Sequence, residues 1–116
     1  NYKMITAGDM SLATVTSSPV NIQGEDNVGI QIHLNSGTPT GSYGVEVSGN
    51  YNQNTGAGNF IALTQTTPAI PVTITAGSPT DVYIDLNQLS APWIRLKYTK
   101  TSGTGSFDAW IVGKMI

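Results

Sequence analysis

Apolar and polar residues alternate one by one over several stretches of this chain. In the clearest stretch, apolar side chains at positions 28, 30, 32 and 34 are separated by Gly29, Gln31 and His33. A repeat of two residues places alternate side chains on opposite faces of a β-strand, one buried and one facing solvent. The pattern predicts eight or nine strands, at about residues 10–16, 18–23, 28–35, 42–50, 59–64, 70–75, 81–87, 92–100 and 106–115.

Segments rich in Gly, Asn, Ser and Pro separate these strands, at residues 35–41, 50–59, 76–80 and 101–105. Gly and Asn accept the positive φ angles that tight turns need, and we expect the last segment to close a hairpin. Helix signals are nearly absent, with a single turn conceivable at residues 86–89. Many short strands with regular turns are typical of an all-β fold. The chain therefore predicts one antiparallel β-sandwich domain over residues 1–116, with jelly-roll-like and immunoglobulin-like topologies both open.

The two ends of the chain are the candidate contact segments. Residues 1–18 are weakly patterned, and two interpretations stay open: an extended arm that adds to a neighbouring subunit, or the first strand of the same sandwich. The last strand is apolar on both faces, which is typical of a covered central strand or of an intermolecular contact. The predicted oligomer or capsid interface residues are Trp110, Val112, Ile116, Tyr2 and Met4.

Composition narrows the range of partners. Only 10% of the 116 residues are charged, against about 25% in an ordinary soluble domain, and the net charge is −2. Five basic residues make a poor patch for phosphate contacts, so nucleic-acid binding is disfavoured. No apolar run approaches the roughly 20 residues that span a membrane. The chain has no cysteine, which excludes disulfides and thiolate metal sites.

No catalytic constellation is recognisable in the sequence. The single histidine, His33, lies on the polar face of its strand and is expected to be an exposed residue. Paired-carboxylate hydrolysis would need two acids in one cleft, and the spacing of the carboxylates gives no sign of it. Glu25 and Asp26 could hold a hard cation, but a solvated turn is favoured. We therefore expect no enzyme, no metal site and no cofactor.

The nine aromatic residues suggest a different kind of site. Tryptophan and tyrosine on a polar sheet face can stack against sugar rings, and Trp93 and Tyr83 are the candidates for ligand stacking. The competing interpretation, which we favour, is that the tryptophans serve the core or an interface, because Trp buries a large area wherever it is found.

The run IDLNQLSAPWIRLKYTKTSGTGSF, from Ile84 to Phe107, resembles the end of small virion proteins of tailed bacteriophages. The resemblance extends over residues 28–116, and its closing strands are also similar to those of discoidin-like sandwiches. It implies a virion protein, assembled in the host cytoplasm, that decorates or cements a capsid as a symmetric oligomer, with a trimer favoured. Its partners would be further copies and the major capsid protein, and no catalytic residues carry over. The alternative function is a carbohydrate-binding module that attaches to host-surface glycans.

Overall fold

A computed structural model describes residues 2–25, 27–66, 69–87 and 89–114, and this part of the chain contains strands and no helix. The strands are β1 Tyr2–Asp9, β2 Thr14–Thr16, β3 Val20–Asn21, β4 Asn27–Gly37, β5 Thr40–Ser48, β6 Ile61–Leu63, β7 Gln65–Thr66, β8 Ala69–Ile70, β9 Val72–Ile74, β10 Asp81–Asn87, β11 Trp93–Ser102 and β12 Gly105–Lys114.

These strands form two antiparallel sheets. Sheet A has the order β1-β12-β4-β10. In sheet B, β2 and β3 pair with one side of β11, β11 pairs with β5, and the far side of β5 pairs with β6 and β9. A separate two-stranded piece joins β7 to β8. When β2 with β3, and β6 with β9, are each counted as one interrupted strand, the order is that of an eight-stranded jelly roll. The predicted β-sandwich is confirmed, and of its two open topologies the strand order is the jelly roll.

The expected hairpin at residues 101–105 is wrong, because β11 and β12 belong to different sheets. The turn at Gly103 carries the chain from sheet B to sheet A, and the connection from β4 to β5 crosses the other way beside it. The β4–β5 connection and the β11–β12 turn are in contact. A Cβ on Gly37, which has a φ of 90°, would collide with the carbonyl oxygen of Thr104. Glycine is needed at this corner for both its φ and its small size.

The inward faces of both sheets meet in one core. Strand β11 buries Ile94, Leu96 and Tyr98 and turns the intervening residues outward, as the alternation predicted. Near the turn at Gly103, three aromatic rings fill the space between the sheets. The ring centroid of Tyr43 lies 5.5 Å from that of Tyr98 and 5.4 Å from that of Phe107. Tilted and edge-on contacts at this distance are favoured by the charge distribution of aromatic rings. These rings join sheet B to sheet A.

The first strand departs from the prediction. Of the two interpretations of residues 1–18, the structure has the strand of the same sandwich, since Tyr2–Asp9 pairs with β12 at the edge of sheet A. The register shifts twice along this pair, between Lys3 and Ile5 and between Ile5 and Gly8, and Ala7 has a φ of 48°. These shifts break the alternation in the sequence, so the pattern does not predict this strand, and the strand predicted at about residues 10–16 corresponds to β2, Thr14–Thr16.

The buried hydroxyl of Tyr43 yields a test of the core. Among the described residues it has no hydrogen-bond partner, whereas the hydroxyl of Tyr98 donates to the carbonyl oxygen of Thr40 at 3.4 Å. Burial raises the pKa of Tyr43 well above its ordinary value, so the phenol stays protonated. An unpaired buried hydroxyl costs about 1–3 kcal/mol, and replacing it with hydrogen removes that cost.

We therefore expect Tyr43→Phe to leave the free energy of unfolding unchanged or to raise it by about 1 kcal/mol, measured by urea denaturation. Tyr98→Phe is the matched control and should lower it by about 0.5–1 kcal/mol, because it removes a long hydrogen bond. A clear loss of stability in Tyr43→Phe would contradict the absence of a partner.

Candidate functional site

Titratable side chains are dispersed through the structure. Within the described ranges, no three His, Asp or Glu side chains come close enough to hold a metal ion. His33 and Asp81 face each other in register on β4 and β10, with Nδ1 and Oδ1 2.6 Å apart, and both are solvent-exposed. The carboxyl group of Glu25 folds against Gly113 of β12, and Asp26 lies outside the described residues. These contacts join neighbouring strands and do not converge in a cleft.

The outer face of sheet A carries a row of four side chains. Lys3, Trp110, Gln31 and Tyr83 are register partners across the four strands, from β1 to β10. They point outward because their sequence neighbours, such as Ile32 and Ile84, fill the core. Since neighbouring strands lie about 4.8 Å apart, the row crosses the whole width of the sheet.

Tyr83 lies across a glycine of the neighbouring strand. A Cβ on Gly29 would collide with the hydroxyl and ring carbons of Tyr83, so the ring rests directly on the backbone of β4. Gly29 is buried as a result, although it points outward. The ring itself remains 57% exposed. A glycine inside a strand often marks a close approach of another group to the backbone. Gly29, inside the alternating stretch of β4, is therefore the signal in the sequence for this contact.

Trp110 lies in the middle of the same face and is only partly exposed. The Lys3 ammonium is 5.2 Å from the centroid of its ring. The same ammonium is 3.4 Å from Oδ2 of Asp108, whose Oδ1 accepts the N–H of Ala7 at 2.7 Å. The hydrogen bond from Ala7 is the main cause that holds the pKa of Asp108 below its usual range, and the nearby Lys3 charge acts in the same direction.

Trp93 and Tyr83 do not form one stacking surface, because they lie on different sheets. Trp93 is on the outer face of sheet B, and its ring packs edge-on against Tyr51 with centroids 5.0 Å apart. Tyr51 contacts Phe60 at 5.5 Å, and the Arg95 guanidinium lies 4.0 Å above the ring of Phe60. These contacts hold the connection between β5 and β6 down on sheet B, so Trp93 is occupied by its own chain.

A shallow pocket of about 190 Å³ lies on sheet B where β6 and β9 diverge. Gly44, Pro71 and Leu63 contribute to its walls, and Glu46 and Lys97 bring charges to it. The Glu46 carboxylate accepts from Nε of Arg95 at 2.7 Å and lies 4.0 Å from Nζ of Lys97. The acid is thus already paired with cations of β11.

The predicted interface residues lie in three places. Trp110 and Val112 are partly exposed on the outer face of sheet A, and Ile116 lies outside the described residues. Met4 packs against the core, while Tyr2 is 57% exposed. Tyr2 borders a cleft of about 250 Å³ that opens between the two sheets. The other residues that line this cleft are Val20, Asn21, Ile22, Glu25, Val28, Ile111 and Gly113.

Comparisons with known proteins identify the fold and no family. No protein-family model matches the chain, and no curated protein matches its sequence. Among solved structures, the SPBc2 prophage-derived protein YomS matches with a TM-score of 0.59 at 14% identity, covering 97% of this chain and 90% of that one. This likeness shows a shared fold.

A second match is to part of a Clostridium thermocellum enzyme, the N-terminal CBM22-1 and GH10 modules of endo-1,4-β-D-xylanase 10B complexed with xylohexaose. It covers 95% of this chain but 28% of the enzyme chain, at 12% identity and a TM-score of 0.35. A likeness of this degree supports no conclusion. Among the described residues, no helix is long and apolar enough to cross a membrane.

The low pKa of Asp108 predicts a pH-dependent contribution to stability. Its folded-state pKa is below the unfolded value of about 3.9, so the carboxylate stabilises the fold above that value and ceases to do so as the pH falls through the folded-state pKa. Asp108→Asn should therefore lower the free energy of unfolding by about 1 kcal/mol at pH 6, and the difference from wild type should shrink below about pH 4. Urea denaturation of both proteins between pH 6 and about pH 3 measures this difference in unfolding free energy. A difference that does not change with pH would contradict the prediction.

The packing of Trp93 on Tyr51 predicts a local effect of its removal. Trp93→Ala should release the connection between β5 and β6 and expose it to chymotrypsin, which cleaves after Tyr51 and Phe60. We also expect a loss of about 1–3 kcal/mol in the free energy of unfolding. Trp110→Ala is the matched control, since it removes an equally half-buried ring from the other sheet and should leave residues 49–60 protected.

Proposed function

We propose that this chain is a non-enzymatic structural module of a phage particle, which decorates or cements the capsid surface as a symmetric oligomer. The observation that carries the proposal is the structural likeness to the prophage-derived protein YomS, which extends over nearly the whole of both chains. A jelly roll is also an architecture of viral capsid domains. The resemblance of residues 84–107 to the ends of phage virion proteins supports the same conclusion.

The physical character of the chain fits such a role. The described residues bring together no group of three or more His, Asp or Glu side chains that could hold a metal ion, and the His33–Asp81 and Arg95–Glu46 pairs connect neighbouring strands. The surface is rich in Ser, Thr, Asn and Gly and carries few charges. A module displayed in many copies gains total binding strength from copy number, so each contact can be weak.

We place the contact between subunits at the cleft beside Tyr2. Its lining includes Val28 and Ile111, whose side chains also belong to the core, so an apolar side chain inserted there would meet a rigid floor. Hot spots of protein interfaces are enriched in tyrosine and cluster where a partner's side chain fills and desolvates a pocket. Trp110 was an alternative contact residue, but it is only partly exposed, whereas Tyr2 is exposed and borders the cleft.

The test is the mass of the purified chain by light scattering, alone and with empty capsids of its source phage. We expect a discrete oligomer, with a trimer favoured, that adds to capsids at a fixed stoichiometry. A chain that remains monomeric at micromolar concentration and does not sediment with capsids would overturn the proposal.

The position of the contact has its own test. Tyr2→Ala should shift the chain to monomer and weaken capsid addition about tenfold or more, as expected for removal of a central aromatic side chain. Tyr83→Ala removes an equally exposed tyrosine from the opposite edge of sheet A and should leave the mass unchanged. If both variants keep the wild-type mass and capsid binding, the contact lies elsewhere on the molecule.

A further inference from the structure

Tyr83 combines exposure with a close contact to the backbone of the neighbouring strand. More than half of its area faces solvent, yet its ring is held against the backbone of Gly29. An ordinary exposed tyrosine must be ordered when a ligand arrives, and this ordering opposes binding. The contact with Gly29 leaves the ring of Tyr83 fewer conformations than an open surface would. A flat apolar surface is therefore presented to solvent in a defined place.

A second ring lies on the same face at a regular distance. Trp110 and Tyr83 are in register on β12 and β10, with β4 between them, which separates their Cα atoms by about 9.5 Å. The residue of β4 between them is Gln31, which is exposed. Its carboxamide can both donate and accept hydrogen bonds. An elongated ligand that lies across the strands would meet ring, amide and ring in turn.

The charged side chains described around these rings are mostly acidic. Asp81 and Asp85 flank Tyr83 on β10, and Asp108 precedes Trp110 by two residues on β12. Among the described side chains, the positive groups on this face are Lys3, which is engaged by Asp108, and His33, which is engaged by Asp81. Carboxylates accept hydrogen bonds from hydroxyl groups, whereas they repel anions. The face is thus suited to a ligand that is rich in hydroxyls and carries no negative charge.

We propose that the outer face of sheet A binds a neutral oligosaccharide, laid across the strands so that one sugar stacks on Tyr83 and another lies against Trp110. Gln31 hydrogen-bonds the sugar between them, and Asp85 accepts from hydroxyls beside Tyr83. The apolar side chains described on this face are Tyr83, Val112 and a partly buried Trp110, a small apolar area compared with the buried core of a stable protein interface. That small size fits a glycan chain better than a protein surface.

This binding site is separate from the subunit contact that we place at Tyr2, and it does not depend on the particle function. Tyr2 lies at the β1 edge of sheet A, while Tyr83 lies on the opposite edge strand, β10. A particle protein that also binds glycans would hold its particle near a carbohydrate-coated surface. Many copies on one particle would then convert a weak single-site affinity into firm attachment.

The test is isothermal titration of the purified full chain with hexasaccharides of β-1,4-linked glucose, xylose and N-acetylglucosamine, with polygalacturonate as an anionic comparison. We expect at least one neutral hexasaccharide to bind with a Kd below about 1 mM, and polygalacturonate to bind more weakly. Tyr83→Ala and Trp110→Ala should each raise that Kd about tenfold or more, because each removes one stacking surface.

Gly29→Ala is the most specific variant, because it keeps the tyrosine and displaces its ring. It should raise the Kd about as much as Tyr83→Ala does. The double variant should have the same Kd as Tyr83→Ala alone. Tyr83→Phe should bind nearly as well as wild type, since stacking needs only the ring. Tyr2→Ala is the control with equal exposure and should bind sugar normally, even where it abolishes oligomer formation.

These outcomes separate the two proposals. Sugar binding that is lost in Tyr83→Ala and kept in Tyr2→Ala supports the glycan face, whatever the assembly mass turns out to be. The absence of measurable binding to all three neutral hexasaccharides overturns it, as does binding that survives Tyr83→Ala and Gly29→Ala with unchanged Kd. Urea denaturation of each variant establishes that it is folded before its affinity is compared.

Discussion

The sandwich depends on three rings that fill the gap between its sheets at one end. Tyr43 and Tyr98 come from sheet B and Phe107 from sheet A, and each is buried. Two of them require an adjacent glycine: a Cβ on Gly41 would lie 2.6 Å from the hydroxyl of Tyr98, and one on Gly8 would lie 2.8 Å from the ring of Phe107. Protein interiors are so closely packed that an added methyl group at either glycine would displace the neighbouring ring. The chain thus uses glycine to give large rings a close fit.

The same device recurs on the outside, where Tyr83 rests on Gly29. In the core it lets the rings pack closely, and on the surface it lets a ring that contributes little to the core lie against the backbone of β4. A contact of this kind restricts the conformations of the surface ring, and this is why we assign that face to a ligand. Trp93 is the opposite case, since its ring is covered by Tyr51 of its own chain.

The strongly alternating strands could be predicted from the sequence, and the long-range arrangement could not. Strand β10 begins and ends as predicted, because its alternation is unbroken and its flanks are rich in turn residues. Strand β1 was missed because its two register shifts interrupt the alternation. The residues of the turn at Gly103 are typical of a hairpin and predict one, and only the pairing of β12 with β4 shows that the turn crosses between sheets. Trp93 and Tyr83 likewise have similar local patterns, and only the fold separates them.

The edge strands of the two sheets determine how readily one copy of the chain pairs with another by adding a strand. Strand β1 is irregular, and β2, β3, β6 and β9 are two or three residues long, so these edges offer little for a foreign strand to pair with. The remaining edge, β10, is long and regular, but in a symmetric pair centred on Tyr83 the Asp81 of one copy would face the Asp85 of the other. Short or irregular edges and this charge repulsion therefore act against edge-to-edge strand pairing between crowded copies of the chain.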